Sequence, residues 1–204
     1  MADSILSPII QLVLSARVRL FNPTRDWPAA TVSRLEYDMR SHCLNGIPVG
    51  APIAAAHPLG RADWFAGGAE NPDLDYRPLG VQVECFDDVI TSFRVILRPE
   101  SRHSDRDRAF KAADLTLVAP NGSRSRLTGR TTEADLVAIL GTPVETGPVA
   151  GDRVHTFVTA GNFIDSFHDP ATGELLEISL GLSASEASAY EGQEPDEDSH
   201  RRVG

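Results

Sequence analysis

The chain repeats one order of residues at a fixed distance, and this pattern constrains the fold more than any other feature. Residues 57–97 and 138–180 each run through an apolar stretch, a Leu-Gly step, a polar loop, an aromatic residue, a glycine and a second aromatic residue followed by acid. The matched positions lie 81 residues apart, and they are Leu59 and Leu140, Gly60 and Gly141, Tyr76 and Phe157, Gly80 and Gly161, Phe86 and Phe167, and Asp88 and Asp169. A duplicated structural unit explains most of these glycines and aromatics without an active site.

Each copy is expected to form a short helix followed by antiparallel strands. Thr131–Asp135 supplies a hydroxyl cap and first-turn acids for the second helix, which Gly141 ends. The first helix is expected between Pro52 and Gly60. The expected strands of the two copies are 74–76, 81–86 and 92–97, and then 153–159, 162–167 and 174–180. Further strands are expected at Val32–Leu44 and Leu115–Val118.

The predicted fold class is α+β, with two tandem units that each pair a helix with an antiparallel meander. Residues 1–30 are expected to hold an N-terminal helix, over 7–20, and a loop. Residues 31–100 form the first repeat, and residues 101–183 form the second repeat, packed on the first. The acidic tail, 184–204, is predicted to be disordered because its Ser, Ala, Glu and Asp residues bury too little apolar surface.

The charge of the chain selects among partners. Its formal net charge is −10, from 29 acids against 19 lysines and arginines, which excludes ordinary nucleic-acid binding and favours a basic partner. The apolar stretch Ile5–Leu14 is too short and too interrupted to span a membrane. Cys43 and Cys85 are too few for a disulfide framework. We therefore expect a cytoplasmic protein that binds neither nucleic acid nor membrane.

The second copy also carries a family resemblance. Its helix runs into Leu140-Gly141-Thr142-Pro143, and its last hairpin reads Phe-x-Asp-x-x-Thr-Gly-x-Leu over 167–175. This order resembles the tandem-repeat architecture of β-lactamase inhibitory proteins and the related outer-membrane assembly lipoprotein fold. The phrase at 44–52 is similar to one in uncharacterised bacterial proteins, some of them immunity proteins of polymorphic toxin systems. The first copy departs from the pattern, because Arg61-Ala62 follows Gly60 with no proline. What the resemblance implies is a binding module, with no catalytic residues to transfer.

The sequence offers little chemistry. It contains no His pair at metal-ligand spacing, no nucleophile motif and no phosphate-binding glycine loop, so we expect no catalytic residue, metal or cofactor. The best polar group is Asp165, His168 and Asp169, in which carboxylates could tune an imidazole. The alternative is a solvated turn in which Asp169 bonds to its own backbone.

Two further segments are candidates for partner contacts. Asp63, Trp64 and Phe65 follow the first glycine turn, where the aromatics either plug the core or anchor an interface. Asp87 and Asp88 form an acidic hairpin turn, suited to steering a basic partner.

The sequence thus favours a non-catalytic protein-binding module, in particular an immunity protein that occludes a toxin. The alternative is a small-molecule-binding protein or enzyme using the cleft between the repeats, and a third possibility is an assembly module with no toxin.

Overall fold

A computed structural model describes residues 20–68, 71–102, 104–159 and 161–182 of the protein. Within these ranges the chain is mostly β with some helix, and its strands form two sheets. The N-terminal helix predicted over 7–20 lies outside the described residues apart from its last residue, and so does the predicted tail, 184–204.

Thirteen strands lie in the described residues. They are β1 (Leu35–Asp38), β2 (Cys43–Leu44), β3 (Ile47–Pro48), β4 (Trp64–Gly67), β5 (Pro72–Tyr76), β6 (Val81–Phe86), β7 (Val89–Ile96), β8 (Leu115–Val118), β9 (Arg124–Leu127), β10 (Glu145–Val149), β11 (Asp152–Thr159), β12 (Asn162–His168) and β13 (Leu175–Gly181). The α-helices there are α1 (Asp105–Arg108) and α2 (Glu133–Leu140), and 3₁₀ turns occupy Ile53–Leu59, Arg77–Leu79 and Pro99–Ser101. None of these helices has the length and apolar character of a membrane span.

The larger sheet has eight strands in the order β10-β11-β12-β13-β7-β6-β5-β4. It consists of two antiparallel meanders, β4 to β7 and β10 to β13, which meet where β13 pairs with β7. The smaller sheet has the order β3-β2-β1-β8-β9, and its β1 and β8 run parallel. Each meander follows a helix that ends at a glycine, as the sequence predicted for Gly60 and Gly141.

Two strand predictions were wrong. The segment predicted as one strand over Val32–Leu44 is a hairpin, because the chain turns between β1 and β2. Trp64 and Phe65, expected in a polar loop, lie in the edge strand β4. The equivalent edge strand β10 was also missed, so each meander has four strands instead of three.

The core lies between the two sheets. A row of apolar cross-strand neighbours on the inner face of the eight-stranded sheet consists of Phe157, Ile164, Leu180, Phe93, Val83, Leu74 and Phe65. All seven side chains are buried. Leu35 and Tyr37 of β1 belong to the same core, together with Leu59 and Leu136 from the two glycine-ended helices. The inner face is thus fully used for stability, and the outer face of this sheet is left for other roles.

Candidate functional site

One row of cross-strand neighbours crosses the outer face of the eight-stranded sheet from edge to edge. In order the row contains Trp64, Asp75, Gln82, Arg94, Ser179, Asp165, Thr156 and Glu145. Neighbours in such a row lie on the same face of the sheet, so their side chains can interact directly. The row is polar where the inner face is apolar, and its two halves have different environments.

The connector, which we define as residues 97–114 between β7 and β8, lies over the first half of the row. Arg106 of α1 donates from Nη2 to Oδ1 of Asp75 at 2.6 Å and from Nε to Oδ2 at 3.1 Å. Gln82 adds a bond of 3.1 Å from Nε2 to the same Oδ1. Because both oxygens of the buried Asp75 receive donors, the charge of this carboxylate is compensated inside the protein.

Arg94, at the centre of the row, is held by acids from the sheet and from the connector. It donates to Glu177 from Nε at 2.5 Å and from Nη2 at 2.7 Å, and to both oxygens of Asp107 at 3.0 Å. Arg102 of the connector pairs with Asp152 at 2.6 Å and with Glu177 at 3.2 Å. Burial raises the pKa of Glu177, and the hydrogen bond and charge of Arg94 oppose that rise. These pairs fasten the connector to the sheet.

The second half of the row lacks such compensation. Asp165 and Glu145 make no ion pair with any described residue. Oδ1 of Asp165 is buried and has no hydrogen-bond partner in the described part of the chain. We call the outward side chains of β10 to β13 in this region the open face, which consists of Glu145, Thr156, Phe163, Asp165, Phe167 and Ser179.

Strand β12 is built in an unusual sense for a sheet with one buried side. Its inward side chains are Asn162, Ile164, Ser166 and His168, all buried, although three of these four are polar. Its outward side chains, Phe163, Asp165 and Phe167, are partly exposed. A shift of one residue would bury both phenylalanines and expose the polar set. The fold instead presents two aromatic rings on either side of a carboxylate, which is the composition of an interface and not of a solvated strand.

Replacing Asp165 by asparagine is expected to stabilise the isolated protein near neutral pH. Burial raises the pKa of Asp165 above its ordinary value, a hydrogen bond from Thr156 opposes that rise, and the charge of Glu145 adds to it. A carboxyl whose folded-state pKa is raised destabilises the fold at every pH above that pKa. The penalty disappears as the pH falls through the folded-state pKa towards the unfolded value of about 3.9.

Urea unfolding of the wild type and of Asp165→Asn tests this expectation. The variant should gain on the order of 1 kcal/mol at about pH 7, and the difference should vanish near pH 3.5. A variant less stable than the wild type at pH 7 would mean that Asp165 serves the fold.

The structure separates the candidates at the first glycine turn. Trp64 lies in the outer row, partly exposed, with the guanidinium of Arg77 5.7 Å from the centre of its ring. Phe65 points inwards and is 7% exposed, so it belongs to the core. Asp63 is exposed, and its Oδ2 accepts a hydrogen bond from the backbone N–H of Arg77 at 3.0 Å. The two interpretations of this pair of aromatics thus apply to different residues, with Phe65 packed and Trp64 at the surface.

The two acidic turns have local structural roles. Asp87 and Asp88 are exposed and have φ values of 50° and 60°, as in a tight hairpin turn. Oδ1 of Asp169 accepts from the backbone N–H groups of Ala171 at 2.8 Å and Thr172 at 3.3 Å. Asp169 therefore makes the bond to its own backbone that the alternative interpretation predicted.

His168 does not share a surface with Asp165. It is fully buried on the inward side of β12, whereas Asp165 lies on the outward side. Its Nδ1 lies 3.1 Å from the carbonyl oxygen of Gly173, and its Nε2 lies 3.0 Å from Oγ of Ser166. Burial lowers the pKa of His168, which favours a neutral, structural imidazole. The predicted group of Asp165, His168 and Asp169 is thus divided among three environments, and we retain Asp165 alone for the site.

No group of three or more His, Cys, Asp or Glu side chains able to hold a metal occurs among the described residues. A cavity of about 890 Å³ lies between the loop 22–30 and residues 61–63, away from the open face. Its lining includes Arg25, Arg61 and Asp63, and it does not lie between the two meanders.

Sequence reasoning missed Glu145, Phe163 and Phe167. The signal that could have found the phenylalanines is the alternation over 162–168, which places two aromatics and an acid on one side and a mostly polar set on the other. Glu145 gave no signal, because its strand contains Gly147 and Pro148, which are poor strand formers.

Comparisons with known proteins give no family. No family model matches the chain, and no curated protein matches it. Among solved structures, the chain is similar to a DUF4309 family protein from Bacillus subtilis, with 11% identity, a TM-score of 0.43, and coverage of 69% of this chain and 84% of that one. It is also similar to a cysteine-rich secretory protein from Staphylococcus aureus, with 12% identity, a TM-score of 0.43, and coverage of 83% of this chain and 51% of that one. Likeness at this level carries no argument about function.

Proposed function

We propose that this protein is a non-catalytic binding module that holds a basic protein partner on the open face. The observation that carries the proposal is the unequal treatment of the outer row. The connector neutralises Asp75 with an arginine, while Asp165 and Glu145 remain without a basic partner among the described residues. A half-buried carboxylate without a counter-charge destabilises a fold, so its presence is consistent with a role in binding.

The flanking side chains support the same proposal. Phe163 and Phe167 on β12 are partly exposed, and Val158 on the outward side of β11 is 46% exposed. Apolar side chains around a partly desolvated charge are the usual surroundings of residues that dominate binding energy. The net charge of −10 would add long-range attraction for a basic partner.

The form of this function that we favour is immunity, in which the protein neutralises a toxin in the cytoplasm by stoichiometric occlusion. The resemblance to immunity proteins of polymorphic toxin systems suggests it, and the acidic charge suits a basic toxin. We do not carry forward a small-molecule site between the repeats, because the two meanders form one continuous sheet through five paired positions of β13 and β7.

We also propose that the two meanders arose by tandem duplication. Gly60 and Gly141 end their helices with almost the same backbone angles, φ 79° and ψ −160° against φ 89° and ψ −164°. Asp63 donates its N–H to the Asp75 carbonyl at 2.8 Å, and Val144 donates to the Thr156 carbonyl at the same distance. These contacts support equivalence of the two helix-to-strand connections.

The register of the repeat changes after these positions. Tyr76 faces Val81 across the first ladder, and Phe157 faces Ile164 across the second. Tyr76 and Phe157 are 81 residues apart, whereas Val81 and Ile164 are 83 apart, so the turn of the second copy is two residues longer. The matches of Phe86 with Phe167 and of Asp88 with Asp169, drawn at a constant 81, therefore do not follow the ladder.

Affinity capture from lysate of the source bacterium tests the proposed function, with the full chain, Asp165→Asn and Asp88→Asn as baits. Asp88→Asn is the matched control, because it makes the same charge change at an exposed turn and asparagine tolerates its positive φ. We expect a basic protein that binds the wild type and Asp88→Asn at 1:1 and is weakened at least tenfold by Asp165→Asn. One equivalent should abolish its toxicity. Equal retention by all three baits, or recovery of no stoichiometric partner, would contradict the proposal.

A further inference from the structure

We infer that the open face receives an arginine side chain, carried on a short helical turn of the partner, whose guanidinium pairs with Asp165 between Phe163 and Phe167. This inference rests on the proposed function and specifies the chemistry of the partner at that surface. It is suggested by the connector, which docks on the other half of the same row in this manner.

The connector shows how this sheet receives a segment from outside. Helix α1 is a single turn, and Arg106 within it reaches down to grip both oxygens of Asp75. Asp107, next in the chain, takes the guanidinium of Arg94 from the sheet. A short turn with one arginine is therefore enough to compensate a buried carboxylate of this row.

The open face offers a similar acceptor without the donor. Asp165 belongs to the same row as Asp75, on the opposite side of the central pair formed by Arg94 and Ser179. Its Oδ1 is buried and unpartnered in the described part of the chain. Glu145 lies two strands away in the same row and adds negative charge. The site thus carries charge that a cation would compensate, and no arginine or lysine of the described residues forms an ion pair with it.

The surroundings of Asp165 favour arginine over lysine. A guanidinium is planar, donates two parallel hydrogen bonds to one carboxylate and is weakly hydrated, so it enters a half-buried site at a smaller desolvation cost than an ammonium. The rings of Phe163 and Phe167 flank Asp165 on the same side of β12, where they can contact the faces of a guanidinium. Lysine would satisfy the charge but would lose both of these contacts.

Selection from a displayed library of random 12-residue peptides tests the inference on the full chain. Peptides that bind the wild type and fail on Asp165→Asn would be made with the selected basic residue as arginine, lysine or the neutral isostere citrulline. We expect arginine to be selected. Its replacement by lysine should weaken binding at least fivefold and by citrulline at least tenfold, on the order of 1 and 1.4 kcal/mol. Both losses should disappear against Asp165→Asn and persist against Asp88→Asn.

The outcomes separate this inference from the proposed function. Peptides that cross-link to a photoreactive phenylalanine analogue at position 163, yet bind equally well with lysine, would overturn the arginine assignment and leave the binding surface intact. A library that yields no peptide sensitive to Asp165→Asn would also overturn it. A physiological partner that never contacts position 163 would contradict the proposed function instead.

Discussion

Replacing Gly60 by alanine is expected to lower the free energy of unfolding by about 4 kcal/mol, from backbone strain and overpacking together. Its φ of 79° with ψ of −160° lies in a region that essentially only glycine occupies. A Cβ at this position would lie 2.4 Å from the backbone nitrogen of Ala30 and 2.8 Å from the carbonyl carbon of Ala29. Backbone atoms cannot move aside as a flexible side chain can, so the loop 22–30 would have to shift.

Gly141 provides the matched control for this prediction. It has nearly the same angles, φ 89° and ψ −164°, but a Cβ there would meet nothing within 4 Å. Gly141→Ala should therefore cost only the strain, about 2 kcal/mol. Urea unfolding followed by tryptophan fluorescence measures both variants. Equal losses would mean that the contact with Ala29 and Ala30 does not constrain the first helix terminus.

The substitution Glu177→Gln is expected to cost about 3 kcal/mol. Glu177 is 2% exposed and accepts hydrogen bonds from Arg94, with Arg102 of the connector 3.2 Å away. Glutamine keeps the size of the side chain but removes the charge that compensates two buried arginines. The loss should appear as a lower urea midpoint and as faster hydrogen exchange in the connector.

Glu100→Gln is the control for the ion network. Glu100 is 70% exposed at its side chain, and Nε of Arg98 lies 3.7 Å from its carboxylate. An exposed pair of this kind contributes less than about 0.5 kcal/mol, because water and salt screen it. If Glu177→Gln were as mild as Glu100→Gln, the connector would be held by other contacts, and its value as a template for docking on the row would be lost.

Local signals predicted the glycine-ended helices and the inner strands of both meanders, because caps, breakers and alternation act over a few residues. They failed at β4 and β10. These edge strands contain Gly67, Gly147 and Pro148, and they are extended because β5 and β11 offer them a ladder. The pairing of β13 with β7 joins segments about 85 residues apart, a distance over which sequence pattern carries no information.

The open face was only partly predictable for a similar reason. The alternation of β12 fits either face inwards, and the core decides between them, since Ile164 fills the apolar row between Phe157 and Leu180. His168 and Ser166 are then buried against each other. Asp165 was predicted as a candidate, but the prediction grouped it with a histidine that the pleat places on the opposite face.

The most direct measurement of the central claim is photo-cross-linking of the full chain to its captured partner, with a photoreactive phenylalanine analogue at Phe163. The matched control carries the same analogue at Val137, which is 39% exposed on α2 and lies outside the open face. We expect a single 1:1 adduct from position 163, weakened by Asp165→Asn, and none from position 137. Equal adducts from both positions, or an adduct from position 137 alone, would show that the partner binds elsewhere and that the open face is not the binding surface.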